Sequence, residues 1–313
     1  MRGPGPTEEQ VQNELETRLT EAVIARLGDD ADPRFRRIMQ GLIRHVHDFV
    51  REVELTETEW FEAIKFLTAT GQKCDDKRQE FILLSDVLGV SMLVDAVNHR
   101  ASGGSTETTV LGPFFVHGAR EIANGDDMAA GWKGEPTLVS GRVLSVEGRP
   151  LAGALLDLWQ SNSEGSYDVQ LADTGGKQLR AKLRTDAEGR FGFRTILPTS
   201  YPVPTDGPVG LVLNHMGRHP MRPAHLHFMV SAPGHETLVT HLFVKGDPYL
   251  ESDVVFGVKD SLIVDFRRSE SQAEAQKAGL KAPFYSASYD FVLRPAGEAK
   301  QHSARSAGDA VKS

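Results

Sequence analysis

Residues 137–160, TLVSGRVLSVEGRPLAGALLDLWQ, decide the fold class. Two largely apolar runs, 137–146 and 151–160, enclose the segment EGRP. Short apolar runs separated by turn formers are typical of β-strands, so EGRP is predicted to be a β-turn or a hairpin connection. Three later stretches have the same character, namely GRFGFRTI (189–196), AHLHFMVSA (224–232) and TLVTHLFVKG (237–246). Together they predict an antiparallel β-sandwich.

The chain before this region has a helical pattern. Asp32-Pro33 predicts a helix start, because Pro at the first helical position gives up an N–H that has no partner there. Thr7 with Gln10, and Thr56 with Glu59, predict two more starts as capping boxes. Apolar residues at helical spacing then form one stripe, consisting of Phe35, Ile38, Met39, Leu42, Val46, Phe49 and Val50. A further apolar stretch, Phe81 to Val97, is interpreted as a helix buried on most sides.

These patterns predict a mainly β protein with a helical N-terminal domain. We place the helical domain at residues 1–105, the β-sandwich at 106–294 and a small, polar, disordered tail at 295–313. The apolar stripes favour a homodimer interface in the helical domain, although they could also pack on the sandwich.

Composition argues against several classes of partner. The net charge is −8 and there is no basic run, so nucleic acid is not expected. The single cysteine, Cys74, excludes an internal disulfide and favours a cytoplasmic setting. The N-terminus lacks the apolar core of a signal peptide. Asp86 and Asp95 make the longest apolar stretch too polar for insertion into a membrane.

The segment PAHLHFMV (223–230) contains a candidate metal-binding pair. On a strand, His225 and His227 lie on one face and Leu226 and Phe228 on the other, so both imidazoles can reach one metal. The pair His45-Val46-His47 lies in a predicted helix, where residues two apart diverge by about 200°. That pair cannot chelate and is interpreted as facing solvent. A strand His-x-His without a metal is also common, so the spacing alone leaves both interpretations of His225 and His227 open.

Two of the five tyrosines precede this pair in the sequence. Tyr167 lies in QSNSEGSYD (160–168), just past a predicted strand, and Tyr201 lies in the proline-rich loop LPTSYPVPTDGPVG (197–210). Taken singly, each could be an ordinary surface or loop aromatic.

Here the chain resembles the intradiol ring-cleaving dioxygenases, in matching order over most of residues 80–265. The helical start is similar to the N-terminal dimerisation region of the catechol and hydroxyquinol branches. The matching segments are LGPFF (111–115), LDLWQSNSEGSYD (156–168), LRTDAEGRFGFRTILPTSYPVPTDGPVG (183–210), GRHPMRPAHLHFMVSAPGH (217–235) and HLFVKGDPYLESDVVFGVKDSLI (241–263).

The resemblance implies one Fe(III) per chain, with Tyr167, Tyr201, His225 and His227 as ligands. Two hard, anionic phenolates favour ferric over ferrous iron, and a bound cation lets a phenol with a pKa of about 10 bind as the anion. Other classes fit less well. A cupin needs a carboxylate shortly after the second histidine, and residues 228–231 contain none. A ferrous facial triad also needs a carboxylate, and a zinc hydrolase normally uses His, Cys or carboxylate ligands.

Roles for further residues also follow from the resemblance. Tyr201 is expected to leave the metal and take up a substrate proton, and Arg222 to stabilise the electron-rich substrate. His241 falls where catechol-cleaving members often carry glutamine, and either contacts the metal site or packs as an ordinary strand histidine. The substrate-lining positions implied are Leu83, Asp86, Val110, Leu111, Gly112, Pro113, Phe114, Val203, Pro204, Arg222 and Val255.

Most of these positions are apolar and suit a flat ring, whereas Asp86 could accept a hydrogen bond from a third ring hydroxyl. Asp86 could also simply face solvent. We therefore expect cleavage of hydroxyquinol (benzene-1,2,4-triol) by O₂ to maleylacetate. The alternatives are a catechol or chlorocatechol 1,2-dioxygenase and, outside enzymes, a β-sandwich binding module. The family's helical interface often holds a phospholipid, and this sequence does not establish one.

Overall fold

The computed structural model describes residues 7–75, 78–100, 104–171 and 178–297. Their contacts cluster into two compact units, one ending at Thr68 and the other beginning at Ala69. The helices are α1 (Glu8–Ala25), α2 (Pro33–Glu52), α3 (Glu57–Gln72), α4 (Glu80–Val87), α5 (Val90–Asn98), α6 (Pro208–His215) and α7 (Gln272–Ala278). The predicted division at residues 105 and 106 stays a prediction. Residues 298–313 of the predicted tail, and the side chain of Gln10, lie outside the described part of the chain.

Two predicted helix starts are confirmed. The side chain of Asp32 accepts a hydrogen bond of 2.8 Å from the backbone N–H of Phe35. Thr56 and Glu59 form the reciprocal contacts of a capping box at the start of α3. Six of the seven stripe residues on α2 are exposed and Met39 is half-buried, and α2 contains no buried residue.

The histidine pair in α2, His45 and His47, is only partly as predicted. His45 is exposed, but His47 is half-buried, with Nδ1 lying 2.9 Å from Oγ1 of Thr20. The prediction that both face solvent is therefore wrong for His47.

The prediction of one mostly buried helix over Phe81–Val97 is wrong. The stretch forms α4 and α5, separated at Gly89, whose φ of +73° is left-handed and ends the helical path. Much of the apolar surface is exposed, including 64% of Leu93. One glycine in an apolar run was too weak a signal to place the break. In the part of the chain that the structure describes, no helix combines the length and apolarity that a membrane crossing requires.

The remaining elements are β1 (Pro136–Ser145), β2 (Leu155–Trp159), β3 (Arg180–Arg184), β4 (Arg190–Ile196), β5 (Tyr201–Pro202), β6 (Met221–Arg222), β7 (His225–Ser231), β8 (Leu238–Val244), β9 (Ile263–Val264), β10 (Arg267–Ser269), β11 (Phe284–Ser288) and β12 (Phe291–Leu293). One five-stranded sheet has the order β10-β11-β1-β12, with β4 also paired to β1. The other has the order β3-β2-β7-β8-β9, and β5 pairs with β6.

A β-turn at residues 145–148, which overlaps the EGRP segment, lies between the two large sheets. The N–H of Gly148 donates to the carbonyl of Ser145 at 2.8 Å. The N–H of Ser145 donates to the carbonyl of Arg149, also at 2.8 Å. An antiparallel bridge between Leu144 and Pro150 closes a short hairpin here, so both predicted forms are present. The strands β1 and β2 themselves belong to different sheets.

The sandwich is mostly antiparallel, as β1 with β4, β2 with β7 and β7 with β8 illustrate. The pairs β1–β11, β1–β12 and β8–β9 are parallel, which the antiparallel prediction did not include. Between the sheets lies one apolar core, where Phe228 of β7 contacts Phe193 and Phe291 at ring distances of 6.3 and 4.8 Å. This core holds one face of β7 in place and leaves the opposite face for the site.

Candidate metal centre

Strand β7 places the two predicted histidine ligands on one face. Leu226 and Phe228 lie in the core between the sheets, as the alternation of a strand requires. His225 and His227 lie on the other face, and both are buried. The pair is held by neighbouring strands on both sides, because β7 is central in its sheet.

Four donor atoms converge next to this face. Nε2 of His225 lies 3.1 Å from Nε2 of His227. Oη of Tyr167 lies 2.8 Å from Nε2 of His227, 3.4 Å from Nε2 of His225 and 3.2 Å from Oη of Tyr201. The two tyrosines are buried as well. The structure thus brings together all four residues predicted as ligands.

The protonation of the imidazoles suits a metal. Nδ1 of His225 lies 2.7 Å from the carbonyl oxygen of Pro223, which can only accept, so Nδ1 carries the proton and Nε2 carries the lone pair. Burial, followed by the charge of Arg222, holds the pKa of His225 well below its usual range. Burial and the neighbouring His241 lower the pKa of His227 in the same way. Both rings are therefore neutral, the form that a metal ion binds.

The pKa values of the two phenols indicate how a cation would act in this cluster. Burial, together with the neighbouring Tyr201, raises the pKa of Tyr167 well above its ordinary value. Burial also raises the pKa of Tyr201, although Arg222 opposes this. A bound cation would supply the charge that makes the phenolate forms stable in so dry a place. Two imidazoles and two phenols in this arrangement fit a metal ion.

A third buried histidine, His241, stands beside the pair. The three imidazoles offer nitrogen atoms within 4.8 Å of one another. Nε2 of His241 lies 2.7 Å from Nδ1 of His227, which is the nitrogen that faces away from the donor cluster.

Aromatic rings pack against two of the predicted ligands. Phe114 stacks on Tyr167 at 4.4 Å between ring centroids, and Trp159 stacks on His227 at 4.6 Å. Gly112 has a φ of +76°, and a Cβ atom there would lie 3.5 Å from Cε1 of His227. The segment before Phe114 therefore passes close to the His227 ring.

A buried ion pair adjoins the cluster. Strands β5 and β6 place Tyr201 opposite Arg222, whose Nη1 lies 3.3 Å from Nε2 of His225. Asp253 holds the guanidinium at 3.2 and 3.3 Å. Burial alone would lower the pKa of Arg222, but Asp253 and the two phenols raise it above its ordinary value. A permanent positive charge therefore faces the site.

The predicted substrate-lining residues occupy several positions around the site. Leu83, Val203 and Val255 share one buried apolar cluster, which also contains residues of α6. Val110 and Pro204 are half-buried, whereas Leu111 and Pro113 are exposed. Their contact with substrate stays a prediction.

Asp86 is buried, so the alternative that it faces solvent is wrong. Burial raises the pKa of its carboxyl group, which the Ser91 hydroxyl and the charge of Arg222 partly offset.

Sequence reasoning missed the charged residues that support the site. Asp253 was not singled out, although it lies in the motif DVVFGVKDSL. Asp168 directly follows Tyr167 and pairs with the buried Arg180, which also donates to the carbonyl of Phe114 at 3.1 Å. The available signal was a charged residue inside a segment of predicted site residues. The sequence does not reveal the partners, because each lies in another segment of the chain.

With this geometry in place, comparison with known proteins defines the class. Residues 110–295 match the family model described as "Dioxygenase", and residues 32–106 match "Catechol dioxygenase N terminus". The chain belongs to the intradiol ring-cleavage dioxygenase family. Within it, the chain is 56% identical over 277 residues to 6-chlorohydroxyquinol 1,2-dioxygenase of Cupriavidus pinatubonensis, covering 88% of this chain and 96% of the relative.

Two further comparisons agree with this assignment. Hydroxyquinol 1,2-dioxygenase of a Rhizobium species is 52% identical, covering 89% of this chain and 95% of the relative. The crystal structure of hydroxyquinol 1,2-dioxygenase from Pseudomonas putida DLL-E4 has a TM-score of 0.86 at 53% identity, covering 91% of this chain and all of that chain.

Proposed function

We propose that this protein is an Fe(III)-dependent dioxygenase that uses O₂ to cleave hydroxyquinol between its two adjacent hydroxylated carbons, giving maleylacetate. The observation that carries the proposal is the convergence of two phenols and two imidazoles, in which Oη of Tyr167 lies within 3.4 Å of each of the other three donor atoms. Relatives of about half identical sequence bear the name hydroxyquinol 1,2-dioxygenase.

Tyr167, Tyr201, His225 and His227 would hold the ion. A ferric ion bound there would act as a Lewis acid and as a template for the two adjacent hydroxyls. The hard phenolates favour the ferric state over softer or lower-valent ions. Trp159 and Phe114 restrict rotation of the ligand rings that they contact and exclude water from them.

Tyr201 and Arg222 would act on the substrate itself. Tyr201, one of the residues that would hold the ion, would also receive a diol proton at Oη. Arg222 lies opposite Tyr201 on the paired strand, and its charge opposes the rise in the pKa of Tyr201. Its charge stabilises the electron-rich ring, because a fixed cation in a dry site costs no reorganisation when negative charge develops. Asp253 keeps the guanidinium oriented.

Asp86 would select the triol. Its carboxylate is buried beside an apolar cluster that contains Leu83 and Val87 of the same helix. A third ring hydroxyl can donate to this carboxylate, whereas catechol leaves it without that partner. An unpaired buried acceptor is costly, so the site should prefer hydroxyquinol.

Steady-state kinetics with both diols tests this function. We expect kcat/KM for hydroxyquinol to exceed that for catechol, with maleylacetate as the product and one O₂ consumed per ring. A preference for catechol or chlorocatechols would contradict the substrate assignment. A colourless protein that consumes no O₂ with either diol would favour a β-sandwich binding module instead.

We also propose that the protein is a homodimer joined through its helical region. Support comes from α2, whose apolar side chains Phe35, Leu42 and Phe49 are each more than half exposed in the single chain. Exposed apolar surface of this extent is typical of an interface. A phospholipid at this interface and a cytoplasmic location stay predictions.

A further inference from the structure

Three buried side chains form a continuous line of contacts behind one candidate ligand. The strands β7 and β8 pair His227 directly with His241. Nδ1 of His227 lies 2.7 Å from Nε2 of His241, and Nδ1 of His241 lies 2.7 Å from Oγ1 of Thr109. None of the three is more than 3% exposed. The line runs away from the four donor atoms, on the far side of the His227 ring.

The direction of each hydrogen bond follows from the role of His227. If Nε2 of His227 binds the metal, its only proton lies on Nδ1, and this N–H donates to Nε2 of His241. His241 then carries its own proton on Nδ1, which donates to the hydroxyl oxygen of Thr109. Each neutral imidazole thus has one proton and one lone pair, and both are used.

This arrangement excludes another role for His241. Three imidazole nitrogens lie close enough together to suggest a three-histidine site. However, Nε2 of His241 accepts from His227 and its Nδ1 donates to Thr109, so His241 has no lone pair left for an ion. We propose that His241 and Thr109 are positioning residues that fix the tautomer of His227, increase its basicity as a ligand and tie it to the segment at residues 109–114.

The tie to that segment has its own support. The backbone N–H of Thr109 donates to the carbonyl of Val239 at 2.9 Å, which fixes the residue to β8. Thr109 directly precedes the predicted substrate-lining stretch Val110–Phe114, and Gly112 in that stretch approaches the His227 ring. One hydroxyl therefore connects the predicted substrate wall with the ligand ring.

The inference rests on the proposed ferric site, and iron release tests it without using turnover. Desferrioxamine is added to iron-loaded protein, and the iron that stays with the protein after gel filtration at successive times gives the rate of release. For His241→Leu we expect release about 10- to 100-fold faster, as for other residues that orient a metal ligand. For Thr109→Val we expect iron release to be about 2- to 10-fold faster than in the wild type. In both, weaker donation by His227 should move the charge-transfer band to longer wavelength.

Two conservative variants and one matched control separate positioning from general destabilisation. Thr109→Ser keeps the hydroxyl, and His241→Gln keeps an acceptor for His227, so both should retain iron better than the apolar variants. The control is Thr240→Val. This variant also removes a buried hydroxyl, in this case one on β8 that donates to the carbonyl of Glu107 at 2.8 Å. It should lower the melting temperature without changing iron release or the band.

The outcomes distinguish this inference from the function on which it rests. Faster release and a shifted band in His241→Leu and Thr109→Val, but not in Thr240→Val, support it. Equal release in all variants overturns it while the ferric site stands. A His241→Gln variant that loses iron as fast as His241→Leu also overturns it and makes His241 a ligand. A wild-type protein that binds no iron overturns the proposed function and the positioning role together.

Discussion

Nη1 of Arg222 lies 3.3 Å from Nε2 of His225, so a permanent cation stands beside a predicted metal ligand. A buried positive charge needs a nearby anion, and Asp253 supplies it. Its two carboxylate oxygens also accept from the backbone N–H groups of Val255 and Gly257, which fixes the carboxylate before substrate enters. The charge next to the site is therefore held by a loop that also carries a predicted substrate-lining residue.

Removing Asp253 should therefore destabilise the protein strongly. In Asp253→Ala the buried guanidinium of Arg222 loses its partner, and we expect a loss of about 3–5 kcal/mol in the free energy of unfolding, measured in urea. The matched control is Asp265→Ala, because Asp265 and Arg267 form an exposed ion pair at the same 3.2 Å. Screening by water should limit that loss to less than about 1 kcal/mol. Equal losses in the two variants would contradict the structural role of Asp253.

Arg222→Lys tests the role of the guanidinium. Lysine keeps the charge but cannot form the paired contacts that orient arginine on Asp253. We expect kcat/KM for hydroxyquinol to fall about 100-fold or more, as when a fixed electrostatic group is removed from other active sites. The iron content should stay near that of the wild type, because Arg222 is not a proposed ligand. Wild-type kinetics in this variant would remove Arg222 from the reaction.

Asp86→Ala tests substrate selection. Loss of a hydrogen bond to a charged acceptor should lower kcat/KM for hydroxyquinol about 10- to 100-fold. Catechol lacks the third hydroxyl, so its kcat/KM should change much less. The ratio of the two losses is the relevant measurement, because it cancels any general effect on the iron site. Losses of equal size would argue against the proposed hydrogen bond.

The same carboxyl group gives a pH-dependent prediction. Burial raises the pKa of Asp86, so the folded protein binds this proton more tightly than the unfolded chain does. The stability from the protonated form is present below the ordinary value of 3.8 and is lost as the pH rises through the raised pKa. Asp86→Asn should therefore have the higher urea midpoint at neutral pH, by a margin that shrinks on acidification.

Asp206 provides a control of opposite sign. Arg78, followed by Lys73, lowers the pKa of Asp206 to about 2, so its contribution is present above the ordinary value and is lost as the pH falls through about 2. Asp206→Asn should thus have the lower midpoint at neutral pH. If the midpoints of both Asn variants shift in the same direction, the linkage argument is wrong.

The proposed dimer can be tested on α2. A glutamate in place of Leu42 should make the chain monomeric in multi-angle light scattering, because it puts a charge in the exposed apolar stripe. Arg44→Glu changes the opposite face of the same helix and should remain dimeric. A Leu42→Glu protein that stays dimeric would place the interface elsewhere.

The strands and their faces were predictable because alternation is a local property. Leu226 and Phe228 are in the core and His225 and His227 are at the site, as the sequence predicts. The sheet to which each strand belongs could not be predicted from local sequence. The turn at EGRP is visible in the sequence, but only long-range pairing decides that β1 and β2 belong to different sheets.

The candidate site divides in the same way. Tyr167, Tyr201, His225 and His227 were predictable through family resemblance, and their donor atoms do meet. Asp253 and Thr109 were missed, because their importance arises from partners 31 and 132 residues away. A buried hydrogen bond between distant residues leaves no periodic signal in either segment.

The central claim is that the four converging donors hold one ferric ion to which the substrate binds. Its most direct test is the visible spectrum of iron-quantified protein, recorded before and after hydroxyquinol is added without oxygen. We expect one iron per chain, a tyrosinate-to-iron charge-transfer band, and a change in that band when hydroxyquinol binds. A colourless protein, or a band that hydroxyquinol leaves unchanged at saturating concentration, would contradict the account.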